Sequence, residues 1–436
     1  MKPRLLELVN GYTQNDFKAD CGAGIAVALV ALPLALAIGA ASGMKPENGL
    51  ITAIVGGLLV SLLGGSRVQI GGPAAAFIGL IYATVIQFGF AGLLISSIMS
   101  GCMLVAMGVL KLGSLIKLVP ESVIIGFTNG ISILIAAAQI KNFFGLSIEK
   151  LPATLLHQLP VIAKAFPSIN LAATLLGCCT LLTLKIWSNN SWAQRTKVPA
   201  TVMATVLASI GALAVNTLFT VSNTANHTTS NSPLIATIGS SFGGFGPELL
   251  TPAMPSLTGL SLASLLLPAL SLAMLGAIES LLCARIADEI FNRQTNQTQQ
   301  HNPNQELMGQ GIANVIVPFF GGVPVTGTIA RTITNIRSGA RTPIAGIIHA
   351  LILLAILLIA APLANVVPMT VLAAILLWIA ASMFDWQSLV KRQPSCERIT
   401  ILATTLLTVF IDLSLAVFLG VALYWLLSQR ARTNQA

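Results

Sequence analysis

The residues that decide the fold are 64–77, GGSRVQIGGPAAAF, because they interrupt a hydrophobic segment that is too short to cross a membrane. The apolar run before them, residues 50–63, is shorter than the about 20 residues that a helix needs to span a bilayer. The chain then places Arg67 between two glycine pairs and restarts through Pro73. A hydrophobic segment that stops early and restarts is typical of a helix that is broken inside a membrane.

The composition is that of a membrane protein. Of the 436 residues, 55% are hydrophobic and only 8% are charged, and the mean hydropathy is +0.85. A soluble protein of this size needs more charge, so we predict a polytopic, all-α protein embedded in the lipid bilayer. The net charge of +9 does not indicate a nucleic acid partner, because clustered basic stripes with interleaved aromatic residues are missing.

The cysteines and histidines give no sign of a metal, a cofactor or an enzyme. The six cysteines form no C-x-x-C pair and the four histidines are scattered, with no recurring catalytic constellation. We interpret His349, which lies in an apolar helix, as a packing residue. The polar first twenty residues lead into a long span, which predicts that no signal peptide is cleaved and that the chain is the mature protein.

Windows of about 20 residues with glycine and proline punctuation predict fourteen transmembrane segments. Their approximate cores are 21–41, 50–63, 73–89, 91–110, 119–140, 170–186, 199–219, 261–284, 307–320, 328–336, 343–361, 366–382, 399–411 and 413–427.

The distribution of basic residues supports this number of segments. With a cytoplasmic N-terminus, only Lys45, Lys141, Lys150 and Lys164 of the 23 Lys and Arg residues fall outside, and Arg331 lies within a segment. Cytoplasmic loops carry an excess of Lys and Arg. We therefore predict a multi-pass protein of the cell (inner) membrane, with both termini in the cytoplasm.

The chain divides into two halves of seven segments at the long outside stretch 220–260, which contains no Lys or Arg. Because seven is odd, the second half (about 260–428) must run inverted relative to the first (about 19–220), as in many secondary transporters. The runs GLITAIVGGLLVSLLGG (49–65) and ELMGQGIANVIVPFFGG (306–322) support the repeat, since both end in a glycine pair. Together the halves predict one transporter domain over residues 19–428.

A short segment follows each glycine pair, and both predict a half-helix, at the third and the tenth segment. A helix that starts inside the membrane leaves its first N–H groups unpaired, so its N-terminus can bind an anion. Gly71 and Gly72 can shape the first turn, and Pro73 suits the first helical position. Residues 74–76 and 328–330 would then form two anion-binding N-termini. The alternative is that these small residues only permit tight helix packing.

Two charged residues lie near the breaks. Arg331 directly follows the second break and can supply positive charge and bidentate contacts to an oxyanion. Glu279, in the eighth segment, is a candidate proton carrier or a counter-charge to Arg331. The alternatives are that Arg331 reaches the interface or pairs with Glu279, and that Glu279 is a structural partner. Asn129 and Gln139 are interpreted as ordinary helix contacts.

With these residues in place, the chain resembles the sulfate permease (SulP) family of anion transporters from about Asp16 to Ser428. Five stretches carry the resemblance: DCGAGIAVALVALPLALAIGAASG (20–43), GGSRVQIGGPAAAF (64–77), VPESVIIGFTNGISILIAAAQIKNFFGL (119–146), LGAIESLLCARIAD (275–288) and GGVPVTGTIARTITNIRSGARTPIAGI (321–347).

The resemblance implies a core domain of segments 1–4 and 8–11 and a gate domain of segments 5–7 and 12–14, with elevator-like alternating access. It places the anion between the starts of the third and tenth segments, near Ala74 and Ala75 and near Ile329, Ala330 and Arg331. The acidic family position corresponds to Glu279, and the first-segment positions that face the site correspond to Leu34 and Ile38.

The sequence also departs from its relatives. The chain ends at Ala436 without the cytoplasmic STAS domain that members usually carry, so a homodimer would rest on membrane segments alone. Leu34 stands where animal relatives commonly have Gln. Cys283 stands where sodium-coupled relatives have Thr, and cysteine is a poor sodium ligand, which favours proton coupling.

We therefore expect a secondary transporter of a small inorganic or carboxylic anion, in the class of sulfate, bicarbonate or a dicarboxylate. A nucleobase–proton symporter of the same fold, suggested by NIRSG (335–339), and an anion channel remain open as alternatives.

Overall fold

The structure is a computed structural model. It describes residues 2–8, 11–114, 119–148, 151–152, 154–190, 198–225, 233–243, 251–255, 259–296, 298–390, 395–411 and 413–433. Among the basic residues used to orient the chain, six lie outside the described residues: Lys117, Lys150, Arg195, Lys197, Lys391 and Arg392. Much of the predicted outside stretch 220–260 also falls outside them.

The first half of the chain is helical apart from one short strand. Its elements are α1 (Arg4–Leu8), α2 (Gln14–Ala41), α3 (Pro46–Leu63), β1 (Gly71–Gly72), α4 (Ala75–Val109), α5 (Glu121–Phe143), α6 (Leu155–Ala165), α7 (Leu171–Asn189) and α8 (Ala200–Ala225).

The second half repeats this order. Its elements are α9 (Ile238–Phe242), α10 (Leu262–Thr295), α11 (Pro303–Ile316), a 3-10 turn (Val317–Phe320), β2 (Thr326–Gly327), α12 (Ile329–Arg337), α13 (Ile344–Ala364), α14 (Met369–Met383), α15 (Trp386–Val390), α16 (Ser395–Phe410) and α17 (Leu413–Thr433).

All fourteen predicted segments coincide with helices, and within the described chain eight helices are long and apolar enough to cross a membrane. The third and fourth segments form α4, which is broken at Gly89 (φ 70°, ψ −176°). A positive φ is readily adopted only by glycine, so the break falls between the predicted segments 73–89 and 91–110. The fold is therefore an all-α, fourteen-segment membrane protein with two short strands.

Three details differ from the predictions. Pro73 does not occupy the first helical position, because the turn Ala75–Phe77 starts two residues later and Ala74 precedes it as the N-cap. The strand pairing of Gly71 and Gly72 holds Pro73 outside the helix. The eighth segment runs to Thr295, well beyond the predicted end at 284, because its last turns are polar rather than apolar. The short helix α6 was not predicted.

The helices pack into two groups. One group, the core, contains α2, α3, α4 and α10–α13, and the other, the gate, contains α5, α7, α8, α14, α16 and α17. This division agrees with the predicted segments 1–4 and 8–11 against 5–7 and 12–14. The two groups meet where α2 packs on α14 and α8.

The glycine pair that ends α3 is held against the second half. Gly65 N and Ser66 N donate to Glu306 Oε2 at 2.8 and 3.0 Å, and Gln305 Nε2 donates to the Leu63 carbonyl at 2.7 Å. Glu306 is buried in the first turn of α11, where a carboxylate is favoured by the helix dipole. These contacts fix the position of the loop that leads into β1.

Candidate functional site

The two predicted breaks meet in a two-stranded antiparallel ladder. Gly71 pairs with Gly327 and Gly72 with Thr326. Thr328 extends the pairing, since its N–H and its hydroxyl both donate to the Ile70 carbonyl at 2.9 Å. The ladder sets the starts of α4 and α12 side by side, although more than 250 residues separate them in the chain.

Neither of these two helix starts is capped by a side chain. Ala74 and Thr328 occupy the N-cap positions in extended conformation, and neither side chain makes a capping hydrogen bond. Because the first N–H groups of a helix have no acceptor within the helix, the starts at Ala75 and Ile329 present backbone donors. Such donors, with the helix dipole behind them, suit an anion.

The predicted site residues at these helix starts differ in their exposure to solvent. Ala330 is exposed, Ala75 and Ile329 are half-buried, and Ala74 is buried. A cavity of about 1000 Å³ between core and gate reaches Ala75 and the neighbouring Ala76. Its polar lining includes Tyr82, Lys141, Asn142, Gln158, Asn170 and Thr370.

Leu34 and Ile38 lie in the apolar interior. Leu34 packs in a cluster with the gate residues Leu184, Ala204, Ala208, Val371 and Ile375. Ile38 belongs to the main hydrophobic core. Leu34 therefore lies at the contact between core and gate in this conformation.

Arg331 is fully buried, and its guanidinium has no hydrogen-bond partner among the described residues. The side chain passes behind β1, where a Cβ at Gly72 would collide with Arg331 Nη1. In this conformation the guanidinium is not open to solvent. Its positive charge can still attract an anion held at the two helix starts, across the glycine backbone, because Coulomb energies are large in a low-dielectric interior.

Glu279 is 8% exposed and makes no hydrogen bond or ion pair to a described residue. The ion pair between Glu279 and Arg331, one of the alternatives from the sequence, is absent from the described part of the chain. The adjacent Ser280 faces the ladder instead.

A polar network supports the ladder, and apart from the neighbourhood of Glu279 no pattern in the sequence predicted it. Ser280 Oγ lies 2.8 Å from Thr326 Oγ1, and Gly327 N donates to Ser280 Oγ at 3.2 Å. Ile70 N donates to Thr332 Oγ1 at 3.0 Å, and the Cys283 thiol donates to the same oxygen at 3.3 Å. These bonds satisfy backbone groups that lipid cannot satisfy.

Thr52 and Asn314 form hydrogen bonds to the backbone of the segment that leads into β2. Val323 N donates to Thr52 Oγ1 at 2.7 Å, and Thr52 lies in a π-helical turn of α3 (Thr52–Gly56). Val325 N donates to Asn314 Oδ1 at 3.0 Å, while Asn314 Nδ2 donates to the Val325 carbonyl at 2.8 Å. A π turn in a helix is frequent near functional sites. No spacing in the sequence distinguished these two residues.

Arg67, which stands between the two glycine pairs, lies in the loop between α3 and β1. Its Nε donates to the Arg341 carbonyl at 2.6 Å, and its guanidinium stacks on Phe291 at 5.1 Å. Burial lowers the pKa of Arg67, and the nearby Arg4 and Arg341 add to this. On the same side, Tyr12 donates to Asp20 at 3.1 Å, and burial, followed by the Asp20 carboxylate, raises the pKa of Tyr12.

The geometry has counterparts among known proteins. The model of the sulfate permease family matches residues 17–405. The chain belongs to the sulfate permease family. The family consists of membrane anion transporters, and both predicted breaks lie within the matched residues.

Similar proteins include sulfate and bicarbonate transporters. A putative sulfate transporter of Bacillus subtilis, YvdB, is 38% identical over 95% of this chain and 74% of its own length. The bicarbonate transporter BicA of Synechocystis is 31% identical over 95% of this chain and 70% of its own length.

Solved structures support the same fold. The transmembrane domain of a cyanobacterial bicarbonate transporter BicA has a TM-score of 0.77 and 27% identity, covering 95% of this chain and 98% of that domain. Murine Solute Carrier 26 family member A9 in the inward-facing state has a TM-score of 0.82 over 99% of this chain and 71% of its own. Its 17% identity limits that comparison to the fold, which is the seven-plus-seven inverted repeat.

Proposed function

We propose that this protein is a secondary active transporter that moves a small anion of the sulfate, bicarbonate or dicarboxylate class together with protons. The observation that carries the proposal is the pair of uncapped helix starts at Ala75 and Ile329, set side by side by the ladder of Gly71–Gly72 with Thr326–Gly327. The similarity to sulfate and bicarbonate transporters supports the anion class.

The proposed anion site contains Ala74 and Ala75 from the first half and Ile329, Ala330 and Arg331 from the second. Backbone donors bind any small oxyanion, and the Arg331 charge adds affinity without selecting one. Leu34 and Ile38, on α2, would border the site once core and gate separate. Glu279 would carry the proton, since its carboxylate makes no hydrogen bond or ion pair to any residue that the structure describes.

Transport would proceed by an elevator-like movement of the core against the gate. The cavity that reaches Ala75 between the two groups supports access from one side of the membrane. Both termini would be cytoplasmic, as the distribution of basic residues favours.

The test is uptake into proteoliposomes of sulfate, bicarbonate and succinate, with and without a pH gradient. Arg331→Ala is expected to lower uptake about tenfold or more, because a charge-assisted interaction with the anion contributes about 1.5–3 kcal/mol. Glu279→Gln is expected to lower uptake by a similar factor, because an amide cannot carry the proton. Arg285→Ala is the control, since Arg285 is exposed and, among the described residues, forms an ion pair with the exposed Glu289 at 3.5 Å.

Uptake at the wild-type rate in both variants would contradict the roles given to these side chains. Competition by uracil or xanthine, without transport of any of the three anions, would favour a nucleobase symporter. Ion conductance far above carrier turnover would favour a channel.

A further inference from the structure

The buried side of the site contains a second unpartnered titratable side chain, His349. It lies in α13, is fully buried, and neither ring nitrogen makes a well-formed hydrogen bond within the described residues. The Gly346 carbonyl, one turn earlier in the helix, is the nearby backbone acceptor. A buried imidazole without a partner is costly if its only role is packing.

His349 and Arg331 lie close together behind the ladder. Both side chains are fully buried. The Cβ position of Gly57 lies 3.5 Å from His349 Cε1, an ordinary contact distance, and 3.1 Å from the Gly71 carbonyl oxygen, while a Cβ on the next residue, Gly72, would collide with Arg331 Nη1. Gly57 and Gly72 belong to α3 and β1, so the two side chains share the space behind the proposed anion site.

Within the part of the chain that the structure describes, Arg331 is the charged group that faces His349. Helix α13 packs on α2 and on the second half of α3. Residues 52–63 of α3 contain no charged side chain, and α2 carries its charges, Asp16, Lys18 and Asp20, in its first two turns. Asp20 is engaged elsewhere, accepting from Arg341 N at 2.7 Å and Thr342 N at 3.1 Å. Arg331 therefore sets the electrostatic environment of His349.

We propose that His349 takes up a proton when an anion binds at the helix starts beside Arg331, and so contributes to coupling proton movement to anion movement. This inference rests on the proposed function and adds a second titratable group to Glu279.

Electrostatics dictates the direction of the coupling. Two adjacent cations in a low-dielectric interior repel, so His349 stays neutral while Arg331 is uncompensated. A bound anion offsets the Arg331 charge and favours the imidazolium. By linkage, protonation of His349 strengthens anion binding by the same factor. Anion affinity therefore falls as pH rises through the pKa of His349 in the anion-bound protein.

The test is calorimetry of anion binding by the purified protein in buffers of different ionisation enthalpy, which gives the protons taken up per anion. Sulfate, bicarbonate and succinate are used in turn. Wild type is expected to take up protons and to lose at least about fivefold in affinity between about pH 6 and about pH 8. His349→Gln is expected to lower the number of protons taken up per bound anion and to flatten the pH dependence of anion affinity. His157→Gln, an exposed histidine bonded to Thr154, is the matched control.

Glu279→Gln keeps His349 intact and does not depend on the folding of the His349 variant. It is expected to retain proton uptake on binding. Two results would overturn the role of His349 without contradicting anion transport. One is the loss of all proton uptake in Glu279→Gln, and the other is proton uptake and pH dependence at the wild-type level in His349→Gln. Failure of the wild type to bind any of the three anions would overturn the proposed function itself.

Discussion

At the scale of single residues, Arg331 determines the electrostatics of the site. Its buried guanidinium has no protein partner in the described chain, and Glu279 does not neutralise it. A buried, uncompensated cation is costly in a membrane protein unless it serves binding. The side chain fits only because residue 72 is glycine.

Gly72→Ala is predicted to weaken anion affinity about tenfold or more. The added methyl group would displace the Arg331 guanidinium from its place behind β1, and loss of its charge-assisted interaction with the anion costs about 1.5–3 kcal/mol of binding free energy. The measurement is the concentration dependence of anion uptake in proteoliposomes. Gly22→Ala is the control, because nothing lies within 4 Å of the added Cβ. Equal uptake curves for the two variants would contradict the prediction.

At the scale of elements, the ladder is too short to be stable alone. Each strand has two residues, and even a full two-stranded hairpin is marginal in isolation. Ser280, Thr332 and Thr52 stabilise it from the neighbouring helices. Glu306 adds a second connection between the halves through Gly65 and Ser66.

Glu306→Ala is predicted to destabilise the protein by about 2 kcal/mol or more, because two buried N–H groups would lose their acceptor and each costs about 1–3 kcal/mol. Glu306→Gln should be milder, since its amide oxygen can accept from both. Thermal unfolding in detergent measures the difference. The control is Glu289→Ala, which removes only an exposed ion pair with Arg285. Equal loss in Ala and Gln variants would argue that the charge matters, not the acceptor.

At the scale of the whole molecule, core and gate meet through an apolar cluster that contains Leu34 from α2 and Ile375 from α14. Apolar contacts without interlocking hydrogen bonds permit two groups of helices to slide. The polar networks that join residues far apart in the chain lie mostly within the core.

A bifunctional thiol reagent that joins Leu34→Cys to Ile375→Cys is predicted to stop transport, because it would fix the core against the gate. Both pairs of cysteines are introduced into a variant in which the five free cysteines other than the buried Cys283 have been replaced. Leu184→Cys with Ala204→Cys, two gate positions of the same cluster, is the control and should leave transport largely intact. Uptake is compared before and after cross-linking. Undiminished transport with a complete Leu34–Ile375 cross-link would exclude the elevator movement.

The sequence by itself determined the number of segments, the division of residues 73–110 into two segments and the positions of the two half-helices. These features depend on the length of apolar runs and on glycine and proline, which are local properties. Only the tertiary structure decided that Gly71 pairs with Gly327, that Glu279 and Arg331 stay apart, and that His349 lies behind the ladder. The physical reason is that such contacts join residues far apart in the chain, and the packing of whole helices, rather than any local pattern, sets which side chains meet.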